Sequence, residues 1–153
     1  MKRDEKVLKI ARKILRDLKP FCRRIKIVGS IRRHEKHPGD IDIVLIYKDK
    51  EKLENFLRKR GRFIQGGEHE STWNLDGVKL ELYYTTSKEW GAELLAYSSR
   101  KGSGIGLRAI AKRKGLKLSQ HGLFNKKGKR IAGKTEEEIY KALGRPYKGP
   151  RER

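Results

Sequence analysis

A mixed α/β fold (α+β), with its helices packed on a mixed or antiparallel sheet, is what the sequence predicts, and three observations predict it. Apolar residues recur at helical spacing near the start. An uninterrupted run of strand formers follows at Ile41 to Tyr47. Two further apolar arms then flank the dipeptide Asp76-Gly77, which favours a tight hairpin turn because both central residues tolerate positive φ.

The opening helix is read from Val7, Leu8, Ala11, Ile14, Leu15 and Leu18, with Pro20 stopping it. Ile25, Ile27 and Val28 form a short strand that ends at Gly29-Ser30, where a helical turn can begin. Ile41 to Tyr47 reads as a central, largely buried strand, and Leu53, Phe56 and Leu57 as a helix behind it. In the second hairpin arm, Lys79, Glu81 and Tyr83 share one face, and Leu80, Leu82 and Tyr84 the other. One helix is expected from Ser87 to about Tyr97 and another from about Gly104 to Lys114, with the glycine-rich link between them as a hinge. Thr135 and Glu138 fit a capping box, and Gly144 marks the end of that helix.

The chain has 153 residues, room for one domain or two small lobes. Its 40 Lys and Arg against 19 Asp and Glu leave a net charge of +21, an imbalance that a polyanionic partner relieves. Nucleic acid is the expected partner, against the blander reading of a heat-adapted charged surface, which usually balances its signs. The single Cys22 is expected to fill core space. No apolar stretch reaches the roughly 20 residues a bilayer span needs, so a soluble, intracellular protein is expected, in the cytoplasm or with the nucleoid. The four histidines lack metal-ligand spacing, and Trp73 and Trp90 are expected to pack rather than stack on bases.

The chemistry concentrates in Gly29-Ser30-Ile31-Arg32-Arg33 and Gly39-Asp40-Ile41-Asp42-Ile43. Residues two apart on a strand face the same way, so Asp40 and Asp42 project together. Two carboxylates about 6 Å apart at an effective dielectric of about 20 repel by about 3 kcal/mol, which calls for a cation. Hard divalent ions choose such oxygen ligands and serve phosphoryl transfer in pairs. Glu81 on the hairpin arm offers a third carboxylate. Solvated acids on a strand edge remain the alternative for Asp40 and Asp42 alone. Gly29 and Ser30 at a strand-to-helix junction suit a triphosphate, through close backbone approach, free amides and a hydroxyl, and Arg33 could clamp phosphate oxygens with its planar fork.

G-S-x-R-R followed by G-D-I-D resembles the palm motif of the X-family DNA polymerases. The stretches L-R-A-I-A-K-R-K-G-L-K-L-S-Q-H-G-L-F (Leu107 to Phe124) and I-A-G-K-T-E-E-E-I-Y-K-A-L-G-R-P-Y (Ile131 to Tyr147) resemble that family's C-terminal subdomain. The resemblance implies a nucleotidyltransferase palm over residues 1–86 and a nascent-pair-binding α+β subdomain over 87–153. It implies Asp40, Asp42 and Glu81 as ligands of two Mg²⁺ ions, with Mn²⁺ as a substitute. Gly29, Ser30, Arg33, Gly39 and Tyr97 would hold the deoxynucleoside triphosphate. Lys79 would meet the primer backbone, Arg108 the template strand, and Arg100 and Lys101 further DNA. The implied activity is DNA-directed DNA synthesis by a monomer, in gap-filling repair and without lyase activity. A template-independent nucleotidyltransferase and a non-catalytic basic DNA-binding protein are the alternatives.

The chain departs from the family pattern where Ala96-Tyr97-Ser98-Ser99 stands for Tyr-Phe-Thr-Gly and where Gly104 stands for an asparagine. Relaxed exclusion of ribonucleotides and reduced checking of the base pair are the corresponding expectations.

Overall fold

The computed structural model describes residues 2–153, and the chain divides into two units, one ending at Thr85 and the other spanning Thr86–Arg153. In the first unit, α1 (Arg3–Leu18) leads through a short 3-10 turn into β1 (Cys22–Val28) and the single helical turn α2 (Gly29–Arg32). Then come β2 (Ile41–Tyr47), α3 (Lys50–Arg58), β3 (Arg62–Gly66), β4 (Glu70–Leu75) and β5 (Val78–Tyr84).

The five strands lie in the order β1-β2-β5-β4-β3. All pairs are antiparallel except β2 with β5, which is parallel, so the sheet is mixed. The crossover from β2 to β5 that a parallel pair requires is made by α3 and the β3–β4 hairpin. One sheet face carries Ile41, Ile43, Leu45, Leu80, Leu82 and Trp73, all fully buried against Val7, Ala11, Ile14 and Leu18 of α1 and Leu53 and Leu57 of α3. The alternation on β5 therefore sends Lys79, Glu81 and Tyr83 to the other face.

Local chemistry fixes the joints. Asp49 caps α3, its carboxylate accepting from the Lys52 amide at 3.1 Å. Asp76 and Gly77 take φ of 54° and 84°, and the Asn74 side-chain carbonyl accepts from the Gly77 amide at 2.9 Å, giving the tight turn the dipeptide predicts. Trp73 donates to Ser71 at 2.9 Å, Ser71 bonds Tyr84 at 2.6 Å, and Tyr84 donates to Glu54 at 2.6 Å, so these four side chains satisfy one another. The strand β3 was not foreseen: it is an edge strand with every residue exposed, and it lacks the alternation that marks a half-buried strand.

The second unit comprises α4 (Trp90–Ser98), α5 (Lys101–Arg113), a three-stranded antiparallel sheet of β6 (Lys117–Ser119), β7 (Gly122–Phe124) and β8 (Arg130–Ala132), and α6 (Glu136–Ala142). Its core gathers Leu95, Leu107, Ala111, Leu123, Ile139 and Leu143. The first amides of α4 donate to Lys134 and Gly133 carbonyls, and Gly91 is a steric requirement there, because a Cβ would fall 2.2 Å from Thr135 backbone. Thr135 accepts from the Glu138 amide at 3.1 Å, and Gly144 takes φ +68° after α6, as the capping pattern predicts. The glycine-rich hinge expected between α4 and α5 is corrected: Gly102, Gly104 and Gly106 lie inside α5, which starts at Lys101. Packing of Leu107 and Ala111 carries this helix past residues of poor helix propensity.

Trp73 and Trp90 are both buried, as expected of packing residues. Among the described residues no helix is long and apolar enough to cross a membrane. Cys22 is buried in the first core, and burial pushes its thiol up to about 11. It should therefore resist a disulfide reagent in the native protein at pH ~8 and react with one equivalent after unfolding in urea; fast native reaction would show the β1 end of the core to be open.

Candidate active site

β1 and β2 pair so that Val28 faces Asp42, and β2 and β5 pair so that Asp42 faces Glu81. These two registers place the end of β1, the centre of the sheet and the second hairpin arm at one point. The next residue along from Val28 is Gly29, with φ +66°, and a Cβ there would sit 2.4 Å from Asp42 Oδ2. Only glycine satisfies both the left-handed backbone and the contact, so the turn lies directly against the carboxylate.

Asp42 and Glu81 share a hydroxyl. Tyr83 Oη lies 2.6 Å from Glu81 Oε2 and 3.2 Å from Asp42 Oδ1, while Lys79 Nζ approaches Glu81 Oε1 to 2.9 Å. Burial raises the Asp42 carboxyl to about 6, the Glu81 charge adds to that, and the Tyr83 hydrogen bond works the other way. For Glu81, burial is outweighed by hydrogen bonds from Tyr83 and Lys79, and its carboxyl falls below the usual range. Burial and the hydrogen bond to Glu81 push the Tyr83 phenol far above its ordinary value. The Lys79 ammonium is held above its own by the bond to Glu81.

Asp40 stands apart from this pair. It occupies an exposed bend beside the exposed Gly39, one residue before β2 begins, and acts on Asp42 and Lys79 through charge. Among the described residues no three histidine, cysteine, aspartate or glutamate side chains converge as a ready-made metal cage. The donor chemistry nevertheless fits a hard divalent cation: the oxygens are carboxylate, and Asp42 is raised by burial and by the neighbouring Glu81 charge, both of which a cation offsets. Asp42 and Glu81 would hold such an ion, with Asp40 as the adjoining ligand.

Ser30 is half-buried in α2. Arg33 ends that turn and faces Glu35, with contacts of 3.1 and 3.3 Å to Oε1. Glu35 and Tyr83 are the functional neighbours to which sequence reading gave no role or only that of a companion. Tyr83 could have been found by strand alternation from Glu81; Glu35 lies in an irregular loop with no periodic signal.

In the second unit, Tyr97 is half-buried on α4, while Arg100 and Lys101 are exposed at the start of α5. Arg108 is also exposed on α5, and its Nη1 lies 3.1 Å from where a Gly104 Cβ would be, so the guanidinium covers bare helix backbone. Ala96, Ser99, Gly104 and Arg108 line a cavity of about 270 Å³. The small residues noted as departures from the family pattern thus enclose one space.

Residues 94–153 match the family model described as DNA polymerase beta thumb. No curated protein matches the chain. The matched segment takes in α5, the three-stranded sheet and α6, and it excludes every carboxylate discussed above.

Native Asp42 holds its proton more tightly than the unfolded chain, whose value is near 3.8, so the metal-free protein loses stability as pH rises from there to about 6. Asp42→Asn should accordingly melt at a higher temperature than the parent at pH ~8 in a chelator, with the difference vanishing near pH ~4. Equal melting temperatures at both pH values would show that the carboxylates do not crowd.

Proposed function

We propose that this chain is a DNA-directed DNA polymerase of the X type, joining deoxynucleotides to a primer 3′-hydroxyl. The observation that carries the reading is the Asp42–Glu81 register pair with Gly29 packed against it, on a chain whose other end is similar to a polymerase beta thumb. The thumb likeness supports a polymerase-related, DNA-binding role, and the charge of +21 suits a nucleic-acid partner.

Two Mg²⁺ ions, when bound, supply activation of the attacking hydroxyl and neutralisation of the leaving pyrophosphate. The protein's own part is positioning. Asp40, Asp42 and Glu81 present oxygens for the ions. Lys79 and Tyr83 hold Glu81 in one orientation, and Tyr83 also reaches Asp42. Gly29 lets the α2 turn lie against Asp42, Ser30 within that turn and Gly39 ahead of β2 serve the triphosphate, and Arg33 exchanges Glu35 for a phosphate oxygen when a triphosphate arrives. The family resemblance assigns Tyr97 to the sugar, and the missing bulk at Ala96 relaxes rejection of a 2′-hydroxyl. Lys79 meets the primer backbone, Arg108 the template strand, and Arg100 and Lys101 further DNA.

Primer extension on gapped and open-template DNA with Mg²⁺, each deoxynucleotide offered singly, tests this reading. Incorporation should follow the template and fall by more than about 1,000-fold in Asp42→Ala, the scale on which a lost centre of charge stabilisation is felt. Binding to the same DNA should survive in that variant and weaken with a logarithmic salt slope of about −4.5 for ~5 phosphate contacts. Untemplated addition would move the protein to a template-independent nucleotidyltransferase. Binding without incorporation by the parent would make it a non-catalytic DNA-binding protein.

A further inference from the structure

Between Glu93 and Glu136 the chain carries twelve Lys or Arg and no Asp or Glu, so most of the second unit lacks an acid. The basic residues fall into groups. Arg100 and Lys101 stand at the start of α5, whereas Lys117 of β6 and Lys126, Lys127 and Lys129 of the β7–β8 turn are exposed beyond its end. The turn reaches that end directly: α5 closes at Arg113, and a Cβ on Gly115, two residues on, would fall 2.7 Å from Lys126 Cε. The start and end of α5 lie about 18 Å apart along its axis.

The turn is a fixed frame. Asn125 Oδ1 accepts from the Lys127 and Lys129 amides at 2.9 and 3.0 Å, the Asn125 amide donates to the Lys129 carbonyl at 2.9 Å, and Gly128 takes φ +80°. None of these bonds uses a lysine side chain. Beside the turn runs an open groove of about 720 Å³ whose lining includes Lys117, Phe124, Lys126 and Gly128. Its one acid is already engaged, since Glu89 Oε1 accepts from Arg130 at 3.3 Å and pairs with His121 Nδ1 at 2.9 Å. Lys117, Lys126, Lys127 and Lys129 have no carboxylate partner among the described residues. Like charges gathered on a rigid frame without a counter-charge repel one another, and a polyanion laid along them relieves that repulsion. Ammonium groups on flexible stems suit phosphates met in varied positions, and no exposed large apolar side chain lines the groove to anchor it in lipid.

We propose that the β7–β8 turn and the adjoining groove form a second DNA-binding surface, which holds backbone phosphates independently of the start of α5. Lys126, Lys127 and Lys129 meet phosphates from the turn, and Lys117 adds to them from β6. Phosphate contacts position a duplex without reading it, so the surface governs how tightly DNA is held and leaves the choice of base alone. The inference rests on the nucleic-acid partner of the proposed function and is independent of the carboxylates.

Fluorescence anisotropy of the full chain on a labelled duplex of about 20 base pairs, long enough at about 3.4 Å per pair to meet both groups, tests it across a salt range in a chelator. The parent is compared with K126Q/K127Q/K129Q and with the charge-keeping K126R/K127R/K129R. Three phosphate contacts steepen the logarithmic salt slope by about 2.7, an increment the Gln variant should lose and the Arg variant keep. In the parent, the Gly128 and Lys129 amides should shift saturably in ¹⁵N NMR on adding the same duplex. A slope unchanged in the Gln variant, or amides that do not move in the parent, overturns the proposal. An unchanged slope together with lost binding to phosphatidylserine vesicles would assign the turn to a lipid surface instead. Should the parent fail to incorporate nucleotides, the polymerase reading falls while the slopes still decide this one.

Discussion

Two carboxylates brought face to face by the parallel pairing of β2 and β5 set the terms for the first unit. Like charges at that distance repel, and partial burial strengthens the repulsion, so the sheet centre can persist only if other groups take up the charge. Tyr83 and Lys79 do so on Glu81, from the same face of the same strand. Asp42 receives the longer Tyr83 contact, and burial together with the Glu81 charge keeps its carboxyl raised. The hydrophobic face opposite is what makes the arrangement tolerable: Ile41, Ile43, Leu80 and Leu82 are fully buried and fix both strands in register, and a one-residue slip would exchange the acids with the core.

The same register explains why the turn after β1 must be glycine. Val28 is the partner of Asp42, so the chain leaves the sheet beside the carboxylate, and any side chain at position 29 would strike it. Sequence proximity of the Gly-Ser turn to the acids is therefore converted into contact by the antiparallel β1–β2 pairing. Arg33, four residues on, is brought back by the helical turn and rests on Glu35. A guanidinium already held by a carboxylate is oriented yet exchangeable, since the pair is only partly buried and its mutual attraction modest.

Much of this was legible because it rests on period-two alternation, which assigns faces without knowledge of pairing. The acids on β2 and β5 and the core residues opposite follow from it, while the Asp76-Gly77 turn follows from the tolerance of both residues for positive φ. What alternation cannot supply is strand order: whether β5 lies beside β2, and parallel to it, depends on the crossover through α3 and the β3–β4 hairpin. The strand β3 escaped because an exposed edge strand needs no apolar alternation, and the three short strands of the second unit because three residues carry no period. The α5 start was misplaced for a related reason. Glycine propensity argues for a break there, and the packing of Leu107 and Ala111, with Arg108 laid over Gly104, overrides it.

That override bears on how the second unit uses its glycines. A helix interior gains from alanine at each such position by about 1 kcal/mol, so three glycines in six residues is a local conflict between propensity and fold. Gly104 borders one cavity and Gly106 another, on different sides of the same helix, and both cavities are bounded by arginine. A stretch that only needed to be helical would have kept the alanines that follow in the same element, Ala109 and Ala111. At Gly104 the bare backbone makes room for the Arg108 guanidinium, whereas at Gly102 and Gly106 it faces open space. In a chain with twice as many basic as acidic residues, α5 thus carries Lys101, Arg108, Lys112 and Arg113 on a helix whose glycines leave part of its backbone uncovered.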